Sequence, residues 1–266
     1  MRKSCLSLLL FLWVYAGALQ AACSTTIDVA VREIGWTLVL NQDGRVEGVV
    51  PDVLNEASRM TGCPVNYLNV PLARAYLMLR YGQIDIIPAA IRNPERDEFA
   101  THVASTLTPV LLVSLRDSPV KINTFDKLSA ARIRVDLLRG ANYGPAYDAW
   151  RIAEGARGLV DEMTNYDVIV QRLSLGRSQA FISPLAAIAA SVERHGMQDK
   201  LHMEVLHELP ATLTGFYFSK STPGQPDVVK FRQTVEELIK RGEYFRLINK
   251  HYPVWAKQGI LPAPLK

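Results

Sequence analysis

The chain has 266 residues, 48% of them hydrophobic, with 30 Lys+Arg against 26 Asp+Glu and a formal net charge of +4. That length can bury one large core or two modest ones. The cations form no basic stripe of the kind nucleic-acid binding requires, so nucleic acid is excluded as a partner.

The N-terminus reads as a targeting segment. Arg2 and Lys3 form a basic start, Leu8 to Leu19 an apolar stretch, and Gln20-Ala21-Ala22 a small-residue cleavage zone. Residues 1–22 are therefore expected to be a signal peptide cut after Ala21 or Ala22. The apolar stretch is short for a membrane span, and no other segment is long and apolar enough, so the mature chain is not expected to span a membrane. Lipidation would require Cys23 as the modified residue. Gln20, three positions earlier, stands where that recognition box wants an aliphatic side chain.

Strands and helices then alternate. TIDVAVR is followed by a helix over 51–61, a strand over 64–70, a helix over 71–81 and a strand over 83–88. A second set opens with a short helix at Phe125-Asp126-Lys127-Leu128. It continues through the strand IRVDLL, a helix over 142–154, the strand GLVDEM, a helix over 166–175, the strand QAFIS and a helix over 184–195. This alternation predicts an α/β fold with parallel sheets and crossover helices. The runs TLTPVLLVSLRDSP and PATLTGFYFSKSTP lie after the first and second sets and read as two extended crossings between two units. Val228, Phe231, Val235 and Leu238 then mark one helix face, Gly242 breaks it, and Phe245, Ile248 and Tyr252 continue a shorter one. These last helices are expected to pack back on the first unit.

The segment from Pro71 to Phe99 is the most informative. Pro71 opens a helix whose apolar face is Leu72, Tyr76 and Leu79, and Gly82 closes it. QIDIIPA reads as a buried strand. Asn93 then caps a second helix, with Pro94 at its first position and Glu95 in its first turn. Arg74 and Arg96 both fall in first turns, against the helix dipole. A cation there is either well solvated or faces an anion that outweighs the penalty. A small anionic ligand is one such anion.

The order of Arg74 on a helix, the Gly82-Gln83-Ile84-Asp85 strand start and Pro94-Glu95-Arg96 resembles the family 3 extracellular solute-binding proteins, receptors that feed amino acids and related solutes to ABC importers. GVVPDVLNEASRMTGCPVNY, RIRVDLLRGANYG, LSLGRSQAFISPLAA and the helices from Pro226 to His251 fall in the expected order, so the likeness covers nearly the whole mature chain. It implies a two-lobed periplasmic binding protein-like fold of type II, each lobe a mainly parallel sheet flanked by helices, with two crossover strands as hinge. Lobe one would comprise 23–108 and 214–266, and lobe two 109–213, with hinges near 106–110 and 212–216. The implied protein is a periplasmic monomer without metal or cofactor. It would bind a small carboxylate-bearing solute, an amino acid or related organic acid, and dock on an ABC transporter permease.

The same resemblance suggests a disulfide. Cleavage leaves two cysteines, Cys23 and Cys63, each just before a strand, and in the family's sheet order those strands are parallel neighbours. An isolated pair in an exported chain usually bridges, the alternatives being two free thiols or one kept for partner attachment.

Ligands of open α/β sheets bind beyond the carboxyl ends of the strands. In lobe one, Arg96 matches the family arginine that holds a ligand carboxylate, unless it forms a surface ion pair with Glu95 or Asp97. Arg74 and Arg92 are further cationic candidates, each alternatively a solvated surface group. Trp36 could stack on the ligand or pack in the adjoining hairpin, Ala90 ends its strand at the site, and Asp52 is expected to serve the start of its helix. In lobe two, Gly140, Ala141, Asn142 and Tyr143 stand between strand and helix, where relatives present a Gly-Thr-Thr or similar triplet; an ordinary turn is the alternative. Amino-acid receptors of the family commonly place an aspartate after the QAFIS strand to pair with the ligand ammonium. Here that position is Pro184, preceded by Ser183. The resemblance thus leaves open a carboxylate without an amine, or an amino acid in another pose using Glu33.

The enzyme motifs sought (P-loop, GxGxxG after a strand, G-x-S-x-G, H-E-x-x-H, C-x-x-C) do not occur. The histidines are scattered, with His202 and His207 at an odd separation unsuited to a shared metal. A non-enzymatic receptor is therefore expected. The competing readings are a receptor reporting to a membrane sensor and a dehydratase-like enzyme with Glu33 as its acid or base.

Overall fold

The computed structural model describes residues 23–264 apart from 42, 223 and 258, so the expected signal peptide and its cleavage zone lie outside the described residues. In chain order the elements are β1 (Ile27–Val31), β2 (Val39–Leu40), β3 (Val46–Glu47), α1 (Val49–Thr61), β4 (Val65–Asn69), α2 (Leu72–Arg80), β5 (Ile86–Ile91), α3 (Pro94–Asp97), β6 (Ala100–Thr108) and β7 (Val110–Leu115). Next come α4 (Phe125–Ala130), β8 (Val135–Leu138), α5 (Pro145–Ala156), β9 (Val160–Met163), α6 (Tyr166–Ser174), β10 (Ala180–Pro184), α7 (Leu185–Arg194) and β11 (Leu201–Val205). The chain closes with β12 (Thr212–Ser219), α8 (Gln225–Lys240), α9 (Glu243–His251), a 3-10 turn (Val254–Lys257) and β13 (Leu261–Pro262).

Two main sheets carry the fold. The first is six-stranded, in the order β13-β6-β12-β5-β1-β4, and the second five-stranded, in the order β11-β7-β10-β8-β9. Parallel pairing is confined to the βαβ parts, β4-β1-β5 in one sheet and β9-β8-β10 in the other. There the central strands are covered on both faces, and β8 is buried at all four positions. The crossing segments add antiparallel pairs that a reading by strand–helix alternation does not reveal. The run at 106–119 is in fact two strands, β6 in the first sheet and β7 in the second, with only Pro109 between them. β6 begins at Ala100, ahead of the expected crossing, where Ser219 of β12 pairs opposite it. On the return, β12 joins the first sheet beside β6, with Thr212 opposite Thr108.

The closing helices pack on α1 of the first lobe. Val228, Phe231, Val235 and Leu238 form the buried face of α8 as their spacing predicts. On α9 the buried residues are Tyr244, Leu247 and Ile248, with Tyr252 just beyond, whereas Phe245 is half-buried. The helix starts directly after Gly242, and its predicted face holds at Ile248 and Tyr252, with Tyr244 rather than Phe245 buried in the first turn.

The lobes are fastened by different chemistry. In the first, β1 and β4 run parallel with Ile27 opposite Val65, and Cys23 and Cys63 are bridged, their Cα atoms 4.7 Å apart. In the second, Asp136 on β8 is 1% exposed and accepts from Arg172 at 2.7 and 3.2 Å, while Arg172 also reaches Asp161 at 2.7 Å.

Candidate functional site

A cleft at the junction of the two sheets is lined by residues of both. The first lobe lines it with Arg32 and Ile34 after β1, Leu72 and Tyr76 of α2, Ala89 to Ile91 of β5, and Arg96. The second contributes Leu138, the run Gly140 to Tyr143, Tyr166, Pro184, Ala186 and Ala187. Thr106, Thr108 and Thr214 of the crossing strands line it as well, together with Tyr244, Ile248 and Tyr252. Ala89 has φ 49°, a left-handed backbone that a non-glycine residue adopts at a cost of about 1–2 kcal/mol. The β5–β12 register shifts beside it, between Gly215 and Tyr217.

Arg96 is placed by its local sequence. The Asn93 side chain accepts from the Glu95 N–H at 2.9 Å, and Pro94 starts the short α3. The guanidinium then lies 3.7 Å from the centroid of the Tyr76 ring, donating to the Tyr76 hydroxyl at 2.9 Å and to the Gly140 carbonyl of the opposite lobe at 3.2 Å. Neither neighbouring carboxylate pairs with it. Glu95 is 3.5 Å from Arg80, and Asp97 is 2.9 Å from Arg92.

The other predicted residues divide. Ala90, Gly140, Ala141, Asn142 and Tyr143 line the cleft. The Asn142 side chain also shapes its loop, accepting from the Gly144 N–H at 2.8 Å and donating to Asp148. Helix α5 starts only at Pro145, and the Ala141 N–H is taken by the Leu138 carbonyl, so this loop is not the immediate helix start that was expected. Arg74 is exposed on α2 outside the lining, and Arg92 is held by Asp97, also outside it. Trp36 packs against the main hydrophobic core, outside the lining, with its Nε1 buried and unpartnered. Glu33 points to Arg194 of α7, which also holds Asp167 at 2.9 Å. Ser183 is fully buried and donates to the Pro184 carbonyl at 3.1 Å, leaving Pro184 to line the cleft. Asp52, expected at a helix start, receives Lys250 at 2.9 Å and His251 at 2.8 Å.

Residues that sequence reasoning missed include Arg32, Tyr76, Tyr166 and Tyr252. A signal for Arg32 existed. Alternation carried past the end of β1 puts residues 32 and 34 on one side and 33 on the other. Arg32 and Ile34 line the cleft, and Glu33 does not. Tyr252 spans the lobes, its hydroxyl 2.5 Å from Thr37 Oγ1 and donating to the Ala186 carbonyl at 3.2 Å. Burial pushes the Tyr143, Tyr166 and Tyr252 hydroxyls up, so they present neutral O–H groups at ordinary pH. Backbone approaches backbone at two points across the lobes. A carbon on Gly35 would sit 1.9 Å from the Ala186 carbonyl oxygen, and one on Gly140 would sit 3.1 Å from the Ala73 nitrogen.

Among the described residues the lining holds two guanidiniums, Arg32 and Arg96, and no carboxylate, histidine or thiol. Two α/β lobes joined by two crossings, with a cationic cleft at their junction, define a solute-binding protein by architecture. The model of the bacterial extracellular solute-binding proteins, family 3, matches residues 25–254, and the chain belongs to that family, with its two-lobed periplasmic binding protein fold.

Solved structures similar to it include a histidine kinase sensor domain with similarity to periplasmic binding proteins (14% identity, TM-score 0.71, covering 90% of this chain and 98% of that one). A mutant of the T. maritima protein ArgBP is also similar (17%, TM-score 0.69, 85% and 94%). So is an ABC uptake transporter substrate-binding protein from Streptococcus pneumoniae with bound histidine (15%, TM-score 0.70, 85% and 92%). At these identities the likeness establishes the fold. No curated protein sequence matches the chain significantly. Among the described residues no helix is long and apolar enough to cross a membrane.

Proposed function

We propose that the chain is an exported, non-enzymatic receptor that closes its lobes over a small carboxylate-bearing solute, an amino acid or related organic acid, and delivers it to an ABC permease. The observation that carries this reading is Arg96, a guanidinium in the cleft with no carboxylate partner, stacked on Tyr76 and in contact with the opposite lobe. Its planar fork suits bidentate capture of a carboxylate, a charge-assisted hydrogen bond being worth roughly 1.5–3 kcal/mol. Lobe one would be 23–108 with 214–266 and lobe two 109–213. The hinges would lie near 106–110 and 212–216, where β6 passes through Pro109 into β7 and β12 returns. The family and the likeness to substrate-binding proteins of an amino acid ABC transporter and of an ABC uptake transporter support import. The lining, free of acid–base pairs among the described residues, supports binding over catalysis.

A ligand can drive closure only through contacts stronger in the closed form. A melting screen of amino acids, dicarboxylates and aromatic acids tests the reading: a ligand raises the melting temperature, and Arg96→Ala removes the shift while the unliganded protein melts as before. Unchanged affinity in Arg96→Ala would end the assignment. A second reading, a receptor that reports to a membrane sensor, is favoured by the sensor-domain neighbour. Pull-down by a permease rather than a sensor separates the two.

A further inference from the structure

Arg32 is a cation that the packing of the fold does not explain. It directly follows β1, the strand beside β5 in the first sheet, so it stands at the same carboxyl edge from which the β5–α3 loop brings Arg96 into the cleft. Both guanidiniums line that cleft. Arg32 forms no ion pair and no side-chain hydrogen bond with any described residue, and its Nε is buried without a partner. Arg32 is half-buried, and a guanidinium whose Nε is withdrawn from water without a partner carries a desolvation cost that an anion in the cleft would offset. The groups facing it are neutral: the buried Tyr143 and Tyr166 hydroxyls lie within range of its charge. The nearest acid in sequence, Glu33, is occupied by Arg194. Asp148, below the second-lobe loop, is engaged by Asn142 and Arg151.

Resting on the reading of Arg96 as a carboxylate anchor, we infer that the cleft selects a dicarboxylate without an amine, one carboxylate on Arg96 and the other on Arg32. An α-ammonium would meet two guanidiniums and no carboxylate. A monocarboxylate would leave Arg32 unpaired. The remaining wall includes Leu72, Ile91 and Leu138, apolar surface that a hydrocarbon spacer covers and a compact inorganic dianion does not.

Titration calorimetry of the purified protein with succinate, glutarate, butyrate, L-glutamate and sulfate tests this. The expected result is a dicarboxylate bound at least tenfold more tightly than butyrate, and glutarate at least tenfold more tightly than glutamate. Arg32→Gln is expected to lower dicarboxylate affinity at least tenfold while leaving butyrate within twofold, with Arg32→Lys intermediate. Glutamate binding more tightly than glutarate, or equal loss of both acids in Arg32→Gln, would overturn the inference and leave the Arg96 reading standing. If no carboxylic acid binds, or sulfate alone does, both fall. Should Arg32→Gln fail to fold, the wild-type ranking decides.

Discussion

The first-lobe side of the cleft carries both cations, Arg32 and Arg96, whereas the second-lobe side presents backbone and neutral side chains, Gly140, Ala141, Asn142, Pro184 and Ala186. The two lobes also differ in what fastens them, a disulfide between β1 and β4 in one and an Asp136–Arg172–Asp161 ion cluster in the other. Together these contrasts describe a charged, covalently stapled lobe and a neutral lid held internally by ions. In the proposed receptor, charge recognition would sit on one wall, with the other contributing shape and closure.

The contrast can be broken at each lobe, starting with the largest effect. Replacing both cysteines, Cys23→Ser with Cys63→Ser, opens a loop of sequence separation 40 and should cost about 4 kcal/mol by the chain-entropy estimate. Urea unfolding should show the loss, with ligand affinity of the folded protein unchanged. In the lid, Arg172→Met strands the buried Asp136 carboxylate and should cost about 3 kcal/mol. Asp136→Asn in the same background should recover part of it, and no recovery would deny the ion cluster its role. Gly35→Ala tests the contact between lobes: the proposed closure against the Ala186 carbonyl would be blocked, so affinity should fall at least tenfold, while the φ of +49° strains the first lobe by about 1–2 kcal/mol.

The smallest effect is electrostatic. Burial raises Asp52, but hydrogen bonds from His251 and Lys250 outweigh it and hold the carboxyl below its ordinary value of 3.8. A depressed folded-state pKa gives stability that is present above the unfolded value and lost as pH falls through the folded one. The contribution should therefore be complete above about pH 4 and fade below it. Asp52→Asn should flatten that acid limb, at a cost below about 1 kcal/mol because the pair is partly solvated. A melting curve against pH that is identical for both proteins would remove the interaction from consideration.

Much of this is legible in the sequence. Asn93, Pro94 and Glu95 fix their helix start by short-range hydrogen bonding and a preset φ, so local sequence suffices. Val228, Phe231, Val235 and Leu238 obey helical spacing because one face meets α1. What stayed hidden depends on partners distant in sequence. β6 is held as a strand by pairing with β12, a partner more than a hundred residues away, which its local sequence does not reveal. Arg74 and Arg96 share the same helical position, and only the tertiary setting sends Arg96 to the cleft and leaves Arg74 exposed. The assignment of Glu33 rather than Arg32 overlooked alternation, and the charge of Glu33 is spent on Arg194, 161 residues away.

The abutment of Gly35 on Ala186 and of Gly140 on Ala73 carries a consequence for selectivity by length. Main chain against main chain is an end-stop that cannot be compressed, so under the proposed closure the shut cleft would have a width fixed by the protein and not by its guest. A molecule shorter than that gauge rattles, and a longer one props the jaws apart. Such a receptor would rank a homologous series of solutes as a caliper does, with a sharp optimum at one chain length.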